Sequence, residues 1–289
     1  MANHNWLLEN AEITKILDIE NDGVNMAVDG QFLYIRCKRA MGKYNLTDMS
    51  LAAHNVIFKK DGKARGFAIY GDRVFLTNFC DLYILNKSDL QIQDVLRMGA
   101  DLSSDIWGSE FNAGKAYIAL RNGKMALLDI DTKRISIHEI SDSSFWDYCV
   151  VDNRIYAGTV KGELIEADTD DMRVIRKVEL CKKNIYSVVF GDGMIYTVSQ
   201  DTSLKAVDAA SLETVCVVKK AVRGMAKIIG IYKDVLVVAD SGQIALWDTQ
   251  TLQPLGRFAF PCAFNKGVML HGNTLYGSDY QSVYSVDLE

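Results

Sequence analysis

Short apolar segments recur along the chain at a nearly constant interval. Each segment is an aliphatic or aromatic run of strand-like length with one bulky residue at its centre. The seven central residues are Tyr34, Phe75, Tyr117, Tyr156, Tyr196, Leu236 and Tyr276. Successive members of this series are 41, 42, 39, 40, 40 and 40 positions apart. Self-similarity at such a period indicates one supersecondary unit per repeat, stacked on its neighbours.

A second marker follows each central residue by eleven or twelve positions. There an apolar residue precedes an asparagine or aspartate, in the series Asn45, Asn86, Asp129, Asp168, Asp208, Asp248 and Asp287. A short Asx side chain can accept a hydrogen bond from the backbone two residues on, which favours a sharp reversal. The pattern therefore predicts a hairpin corner in every unit.

We predict an all-β fold, a seven-bladed β-propeller in which each unit is a blade of four antiparallel strands, A to D. Runs such as Val235-Leu236-Val237-Val238 lack polar alternation, because both faces of a blade are buried against neighbouring blades. The seventh unit reaches only its strand C at Glu289, while residues 12–19 have the pattern of a strand D. We therefore expect this N-terminal strand to close the last blade and remove its open edge.

The whole chain, residues 1–289, is expected to be a single propeller domain. The closing strand is predicted at about 12–19, and the repeats at about 20–58, 59–98, 99–140, 141–180, 181–220, 221–260 and 261–289.

Composition narrows the classes of function. The formal net charge is −5 and the sequence pI is about 5.5, which disfavours nucleic-acid binding. The chain shows no secretion signal and no apolar run of membrane-spanning length, so we expect a cytoplasmic monomer. The four histidines and six cysteines are scattered, and no nucleotide-binding, zinc-protease or hydrolase motif is present. We predict no metal and no cofactor.

The corners Leu246-Trp247-Asp248-Thr249 and Ala206-Val207-Asp208-Ala209 resemble the strand C to strand D corner of WD-repeat, YVTN-type and quinoprotein-like repeats. Trp247-Asp248 is the only Trp-Asp pair in register, since Trp146-Asp147 falls on a strand A. No quinoprotein calcium site is evident. The resemblance therefore implies the architecture alone, and we carry over no quinone cofactor.

Propellers bind ligands on the face where the D–A and B–C loops converge on the central channel. Basic residues outnumber acidic ones in these loops, although the whole chain is acidic. The candidate ligand-binding residues are Arg39, Arg65, Lys183, Arg223 and Lys266 on a basic arc, and Trp107, Trp146 and Tyr186 on an aromatic wall. Asp105, Glu110 and Asp147 add carboxylates to that wall and are the catalytic candidates.

Our first hypothesis is a non-catalytic binding module whose channel mouth recognises a peptide, protein or small molecule with an anionic part and an aromatic or apolar part. The alternative is a propeller enzyme, a lyase, hydrolase or isomerase, with acid and base among Asp105, Glu110 and Asp147. Each residue also has a structural interpretation: aromatics at the start of a strand A pack between blades, and loop lysines are ordinarily solvated. Only their clustering favours a site.

Overall fold

The computed structural model describes residues 12–19, 25–59, 67–98, 106–261, 267–279 and 281–288, with the backbone alone for residues 106–108. The described residues form 28 strands in seven four-stranded antiparallel sheets. Each of the first six sheets uses four consecutive strands, from the innermost strand A to the outermost strand D. The strands A of neighbouring sheets contact one another in cyclic order, β2 to β6 and onward to β26 and back to β2. The predicted all-β, seven-bladed propeller is thereby confirmed.

Blades 1 to 3 contain twelve of the strands and one short 3₁₀ turn, Arg121–Gly123, between β11 and β12. Blade 1 is β2 Asn25–Asp29, β3 Phe32–Arg36, β4 Ala40–Asn45 and β5 Leu51–Val56. Blade 2 is β6 Phe67–Tyr70, β7 Arg73–Asn78, β8 Asp81–Asn86 and β9 Ile92–Arg97. Blade 3 is β10 Ile106–Asn112, β11 Lys115–Leu120, β12 Lys124–Asp129 and β13 Ile135–Glu139.

Blades 4 to 7 contain the remaining strands. Blade 4 is β14 Phe145–Val151, β15 Arg154–Thr159, β16 Glu163–Asp168 and β17 Val174–Glu179. Blade 5 is β18 Ile185–Gly191, β19 Met194–Ser199, β20 Leu204–Asp208 and β21 Thr214–Val218. Blade 6 is β22 Lys227–Tyr232, β23 Val235–Asp240, β24 Gln243–Asp248 and β25 Pro254–Ala259. Blade 7 is β26 Val268–His271, β27 Thr274–Ser278, β28 Ser282–Asp287 and, from the other end of the chain, β1 Thr14–Asp18.

The N-terminal strand closes blade 7, as predicted. β1 pairs antiparallel with β28, with Thr14 opposite Ser285 and Asp18 opposite Ser282. The Ser282 hydroxyl also donates to Asp18 Oδ1 at 2.9 Å. Because every strand C now has a strand D beside it, the ring is closed and blade 7 has the same four-stranded form as the others.

The core lies between the blades. Strand B of each blade is almost entirely buried, and all six residues of β23 are at most 2% exposed. Alternate residues of β23 pack on different sides, Leu236 and Val238 against blade 5 and Val235, Val237 and Ala239 against blade 7. Because both faces are buried, continuous apolar runs replace the alternation of a one-sided sheet. The sequence pattern that predicted the strands B therefore also located the core.

The predicted Asx corners form between strands C and D in six blades. The Asx side-chain Oδ1 accepts a backbone N–H two or three residues on, at 2.7–2.9 Å, from Thr47, Ser88, Thr132, Asp170, Ser211 and Thr251. Four residues after each Asx, the backbone turns left-handed, with φ of 53–61° at Met49, Leu90, Lys133, Met172, Leu212 and Leu252. In four corners this strained residue is apolar and buried, at Leu90, Met172, Leu212 and Leu252.

Candidate functional site

One face of the propeller is built by equivalent loops in all seven blades. In each, a backbone N–H at the end of strand D donates to a carbonyl in the B–C turn of the same blade, at 2.7–3.1 Å. The donors are Ile57, Met98, Ile140, Leu180, Ala221, Phe260 and Ile19. These bonds place the D–A segments and B–C turns together on what we call the loop face. A matching set of seven bonds joins the C–D corners to the A–B turns on the opposite face.

The predicted site residues fall into two groups. Asp105, Arg65 and Lys266 lie outside the described residues, and Trp107 is described only as part of the β10 backbone. The described ones are Arg39, Glu110, Trp146, Asp147, Lys183, Tyr186 and Arg223. The geometry below concerns these seven and the residues that surround them.

The inner strands of blades 3 to 6 share an irregularity near the loop face. Their pairing with strand B shifts register between Ile106 and Gly108, Phe145 and Asp147, Ile185 and Ser187, and Ile228 and Gly230. A β-bulge of this kind breaks the simple alternation of side chains and redirects those next to it. The candidates Trp146, Asp147 and Tyr186 all lie at such bulges.

Blades 4 and 5 meet at an aromatic pair. The ring centroids of Trp146 and Tyr186 are 5.3 Å apart with a 58° angle between the planes. Tyr186 is buried at 9% exposure and belongs to the core between blades 5 and 6, whereas Trp146 is half-buried against it. Tyr186 therefore contributes to the core between blades 5 and 6, and Trp146 is the member of the pair whose ring is partly exposed to solvent.

Asp147 is held by blade 5. Its Oδ2 accepts the Ser187 hydroxyl at 2.8 Å and the Val188 backbone N–H at 3.1 Å. Burial raises the pKa of the Asp147 carboxyl, although the Lys227 ammonium and these two donors act in the opposite direction. The fixed hydrogen bonds make Asp147 a link between adjacent inner strands.

Glu110 lies on the next inner strand and faces a different environment. Its side chain is accessible to solvent, yet the surrounding strands displace bulk water from its carboxyl, and this desolvation raises the pKa to about 7. The nearby Asp147 carboxylate raises it too, and the Lys227 ammonium lowers it. Glu110, Asp147 and Lys227 therefore form one electrostatic group across blades 3, 4 and 6.

Lys227 and Ser187 were not among the sequence candidates. Both lie on inner strands, whereas the candidates were chosen mainly from loops. The available signal was the position of Lys227 as the first residue after a loop, at the start of an otherwise apolar strand A.

The described basic residues differ in the groups that they hydrogen-bond or pair with. Arg39 braces its own loop, since its guanidinium donates to the carbonyls of Lys59 at 2.7 Å and Phe58 at 3.4 Å. On other blades Lys161 pairs with Asp142 at 2.7 Å, and Arg97 pairs with Asp81 at 3.3 Å.

Two of the predicted site cations are exposed in blades 5 and 6. Lys183 and Arg223 are exposed and form no ion pair with any described residue. Asp240 accepts the Arg223 backbone N–H at 2.9 Å, but its carboxylate is 2% exposed and pairs with Arg257 at 3.7 Å. Asp201 caps its own turn through Ser199 and Ser203. Within the described part of the loop face, blades 5 and 6 thus present two exposed cations, and Trp146 packs against the core cluster that contains Val222, the neighbour of Arg223 in the chain.

Two further observations concern metal binding and membrane insertion. Among the described residues, no group of three or more His, Cys, Asp and Glu side chains is arranged to hold a metal ion. No helix in the described part of the chain has the length and apolarity of a membrane-spanning segment.

Comparison with known proteins shows structural similarity in the backbone fold. No protein-family model and no curated protein sequence matches the chain. The WD40 domain of Pan2 from Neurospora crassa superposes with a TM-score of 0.76 at 14% identity, covering 95% of each chain. The β-propeller domain of Cps50 (Swd1) from Myceliophteria thermophila gives a TM-score of 0.73 at 12% identity, covering 96% of this chain and 99% of that one.

A third solved structure shares the same backbone fold. BamB from Moraxella catarrhalis gives a TM-score of 0.69 at 17% identity, covering 95% of this chain and 91% of that one. At identities this low the likeness concerns the backbone architecture, and side-chain function does not transfer with it. By its architecture the chain is a seven-bladed β-propeller.

Proposed function

We propose that the protein is a non-catalytic interaction module whose loop face on blades 4 to 6 binds a partner protein or peptide with an anionic group next to an apolar one. The observation that carries this proposal is the exposure of Lys183 and Arg223 without an ion-pair partner among the described residues, together with Trp146, which packs against the core cluster that contains Val222. The shared fold with WD40 propellers supports a role in protein interaction.

Charge and shape explain why such a ligand fits. A guanidinium and an ammonium that are not neutralised by nearby carboxylates attract carboxylate or phosphate groups, and Arg can bind them in a bidentate manner. A half-buried tryptophan contributes a rigid apolar surface at little entropic cost. The seven loop-to-turn hydrogen bonds hold this part of the backbone in place before the ligand arrives, which reduces the cost of ordering on binding.

The first prediction tests this surface with an array of synthetic acidic peptides, half of which carry a tryptophan or leucine beside the acidic residues. We expect the acidic apolar peptides to bind and their affinity to fall as salt is raised, because screening shortens the electrostatic range to about 8 Å at physiological ionic strength. Lys183→Glu and Arg223→Glu should each weaken binding roughly tenfold, which corresponds to about 1.4 kcal/mol. Fluorescence anisotropy provides the affinities.

Arg173→Glu is the matched control, since Arg173 is an exposed arginine in the C–D corner of blade 4, on the opposite face. It should leave the affinity unchanged. Equal losses in Arg173→Glu and Arg223→Glu, or peptide binding that ignores salt, would contradict the proposed surface.

The enzyme alternative has one observation in its favour. A carboxyl with a pKa of about 7 beside a second carboxylate is the arrangement that general acid–base catalysis uses near neutral pH. We place this function second, because in the described part of the chain the pair is accompanied by no histidine and no metal-binding group. Ser187, the adjacent hydroxyl, already donates to Asp147.

A further inference from the structure

The outer strand of blade 5 differs in composition from the other outer strands. β21 reads Thr-Val-Cys-Val-Val from Thr214 to Val218 and has no acidic, basic or histidine side chain. Each of the other six described outer strands, β1, β5, β9, β13, β17 and β25, has at least one such residue. Charged residues on an edge strand are the usual protection against pairing with another chain. β21 lacks that protection.

The exposed side of β21 is apolar. Val215 is 65% exposed and Val217 is 44% exposed. Val215 is the extra residue of a β-bulge against β20, where the register passes from Ala206–Cys216 to Val207–Thr214. Exposure nevertheless alternates from Val215 to Val218, so Val215 and Val217 lie on the same side and form one surface. Cys216 and Val218 point to the other side and pack against the core between blades 5 and 6. β21 is hydrogen-bonded to β20 on one edge, which leaves its outer edge as a row of backbone donors and acceptors.

Charges of opposite sign flank the strand. Glu213 precedes it and Lys219 follows it, each three residues from the central Cys216. Both side chains are exposed, and neither forms an ion pair with a described residue. A strand with an acid at one end and a base at the other, placed symmetrically about its centre, is complementary to an antiparallel copy of itself.

We infer that β21 is a self-association edge, at which a second copy of this chain docks its own β21 antiparallel about a two-fold axis centred on Cys216. In this register Glu213 of each copy faces Lys219 of the other, and Val215 of each copy faces Val217 of the other. The two blades become one eight-stranded sheet with four valines clustered on one side.

The expected strength follows from the size of the contact. Opposite charges and aliphatic side chains directly across an antiparallel pair each stabilise it modestly, by about 0.2–1 kcal/mol. Two five-residue strands and their flanks bury less than the roughly 1,200 Å² of a standard interface. The dimer should therefore dissociate on dilution. The register is fixed by charge, because a shift of two residues places Glu213 opposite Val217 in one direction and opposite Ala221 in the other.

Sedimentation velocity over a series of protein concentrations tests the inference. The most discriminating variants are those that reverse the charge of Glu213 or Lys219. Lys219→Glu places Glu213 opposite a glutamate, and Glu213→Lys places Lys219 opposite a lysine, so each variant alone should be monomeric at concentrations where the wild type is dimeric. An equimolar mixture of the two variants should dimerise again, because every facing pair is then of opposite charge. The double variant Glu213→Lys with Lys219→Glu should also dimerise.

Val217→Lys should abolish dimerisation, and Val95→Lys on β9 is its matched control, since Val95 is a valine of the same 44% exposure on another outer strand. Circular dichroism should show that all variants are folded; Val215→Lys replaces Val217→Lys if the latter is not. A wild type that stays monomeric at every concentration overturns the inference. So does a dimer that survives Val217→Lys, or a mixture of charge variants that stays monomeric.

Discussion

At the scale of single residues, the C–D corners combine strain with burial. A left-handed conformation costs a residue other than glycine about 1–2 kcal/mol, and here it falls repeatedly on side chains such as Leu212 and Leu252. Each of these leucines is at most 5% exposed, so the apolar area it buries offsets the strained backbone. The corner thus uses an unfavourable conformation to direct a large side chain into the core.

Two glycine substitutions at equivalent corner positions should change stability in opposite directions. Lys133 has φ 56°, and its exposed ammonium pairs with Asp94, a surface contact that contributes little to stability. Lys133→Gly relieves the strain and should raise the free energy of unfolding by up to about 1 kcal/mol. Leu252 is 1% exposed with φ 53°, so Leu252→Gly leaves a cavity and should cost about 2–4 kcal/mol. Urea denaturation provides both values. A loss of similar size in both variants would show that strain plays no part.

Glu110 should make stability depend on pH. Desolvation raises its pKa in the folded protein from 4.5 to about 7, so the folded state binds a proton that the unfolded state has released between these values. The stabilisation is therefore complete below about pH 4.5 and is lost as pH rises through about 7. Asp147, whose pKa burial also raises, changes stability in the same direction.

Glu110→Gln removes the titrating group and keeps its shape. The variant should differ little from the wild type at pH 5 and become the more stable of the two by pH 8, because the wild type must then hold an ionised carboxylate away from bulk water. Unfolding midpoints in urea across this range test the sign. Parallel curves for the two proteins would show that Glu110 is not desolvated in the channel.

Residue by residue, sequence reasoning succeeded where the chemistry is local. The Asx caps could be predicted, because an Asx side chain bonds to backbone within its own turn. The left-handed leucines could not, since intrinsic preference opposes that conformation and only burial selects it. The neighbourhood of Glu110, Asp147 and Lys227 could not either, because their strands come from three different blades.

At the scale of secondary-structure elements, β1 completes blade 7, which among the described strands is the one blade that combines strands far apart in the chain. Leu17 stands opposite Val283, and Leu17 and Ile16 pack with the cluster that contains Ile19 and Leu33. Deletion of residues 1–20 leaves β28 with an open edge and uncovers part of this cluster. We expect this truncated protein to be multimeric or insoluble, as measured by size-exclusion chromatography and light scattering.

Lys15→Ala is the control for the truncation, because it changes β1 without removing it. Lys15 forms an exposed ion pair with Asp18 at 2.6 Å, and such pairs contribute little to stability. Its melting temperature should match that of the wild type. A well-folded monomeric truncation with an unchanged melting temperature would contradict the role of β1 in closure.

The elements also show where the pattern of the sequence stops being informative. Strands B and C could be located from their apolar runs and Asx endings, since both are regular and internal. Strands A contain bulges in blades 3 to 6, and one extra residue reverses the direction of the following side chains. Which inner-strand residues come together therefore depends on a register that alternation cannot reveal.

At the scale of the whole molecule, the ring could be predicted because its signals repeat. Seven units have nearly the same length, and the strand D that the seventh unit lacks is matched by a strand near the N-terminus. The site is a property of single positions and has no such redundancy. Trp146 and Asp147 were located in the correct inner strand, whereas Arg39, a member of the predicted basic arc, donates its side-chain hydrogen bonds to its own loop. Repetition identifies architecture, and individual contacts decide function.

The pairing of β1 with β28 also sets an order of events during synthesis. Asp18 and Ser282, which are hydrogen-bonded in the finished ring, are separated by 264 residues. At a translation rate of about 5–20 residues per second, β1, the first strand of the ring to be synthesised, waits roughly 10–50 s for its partner. Through this interval six blades can form while β1 remains single. β1 is thus the earliest strand of the ring to be synthesised and the last to pair. Any molecule that binds β1 before β28 is available delays closure of the ring.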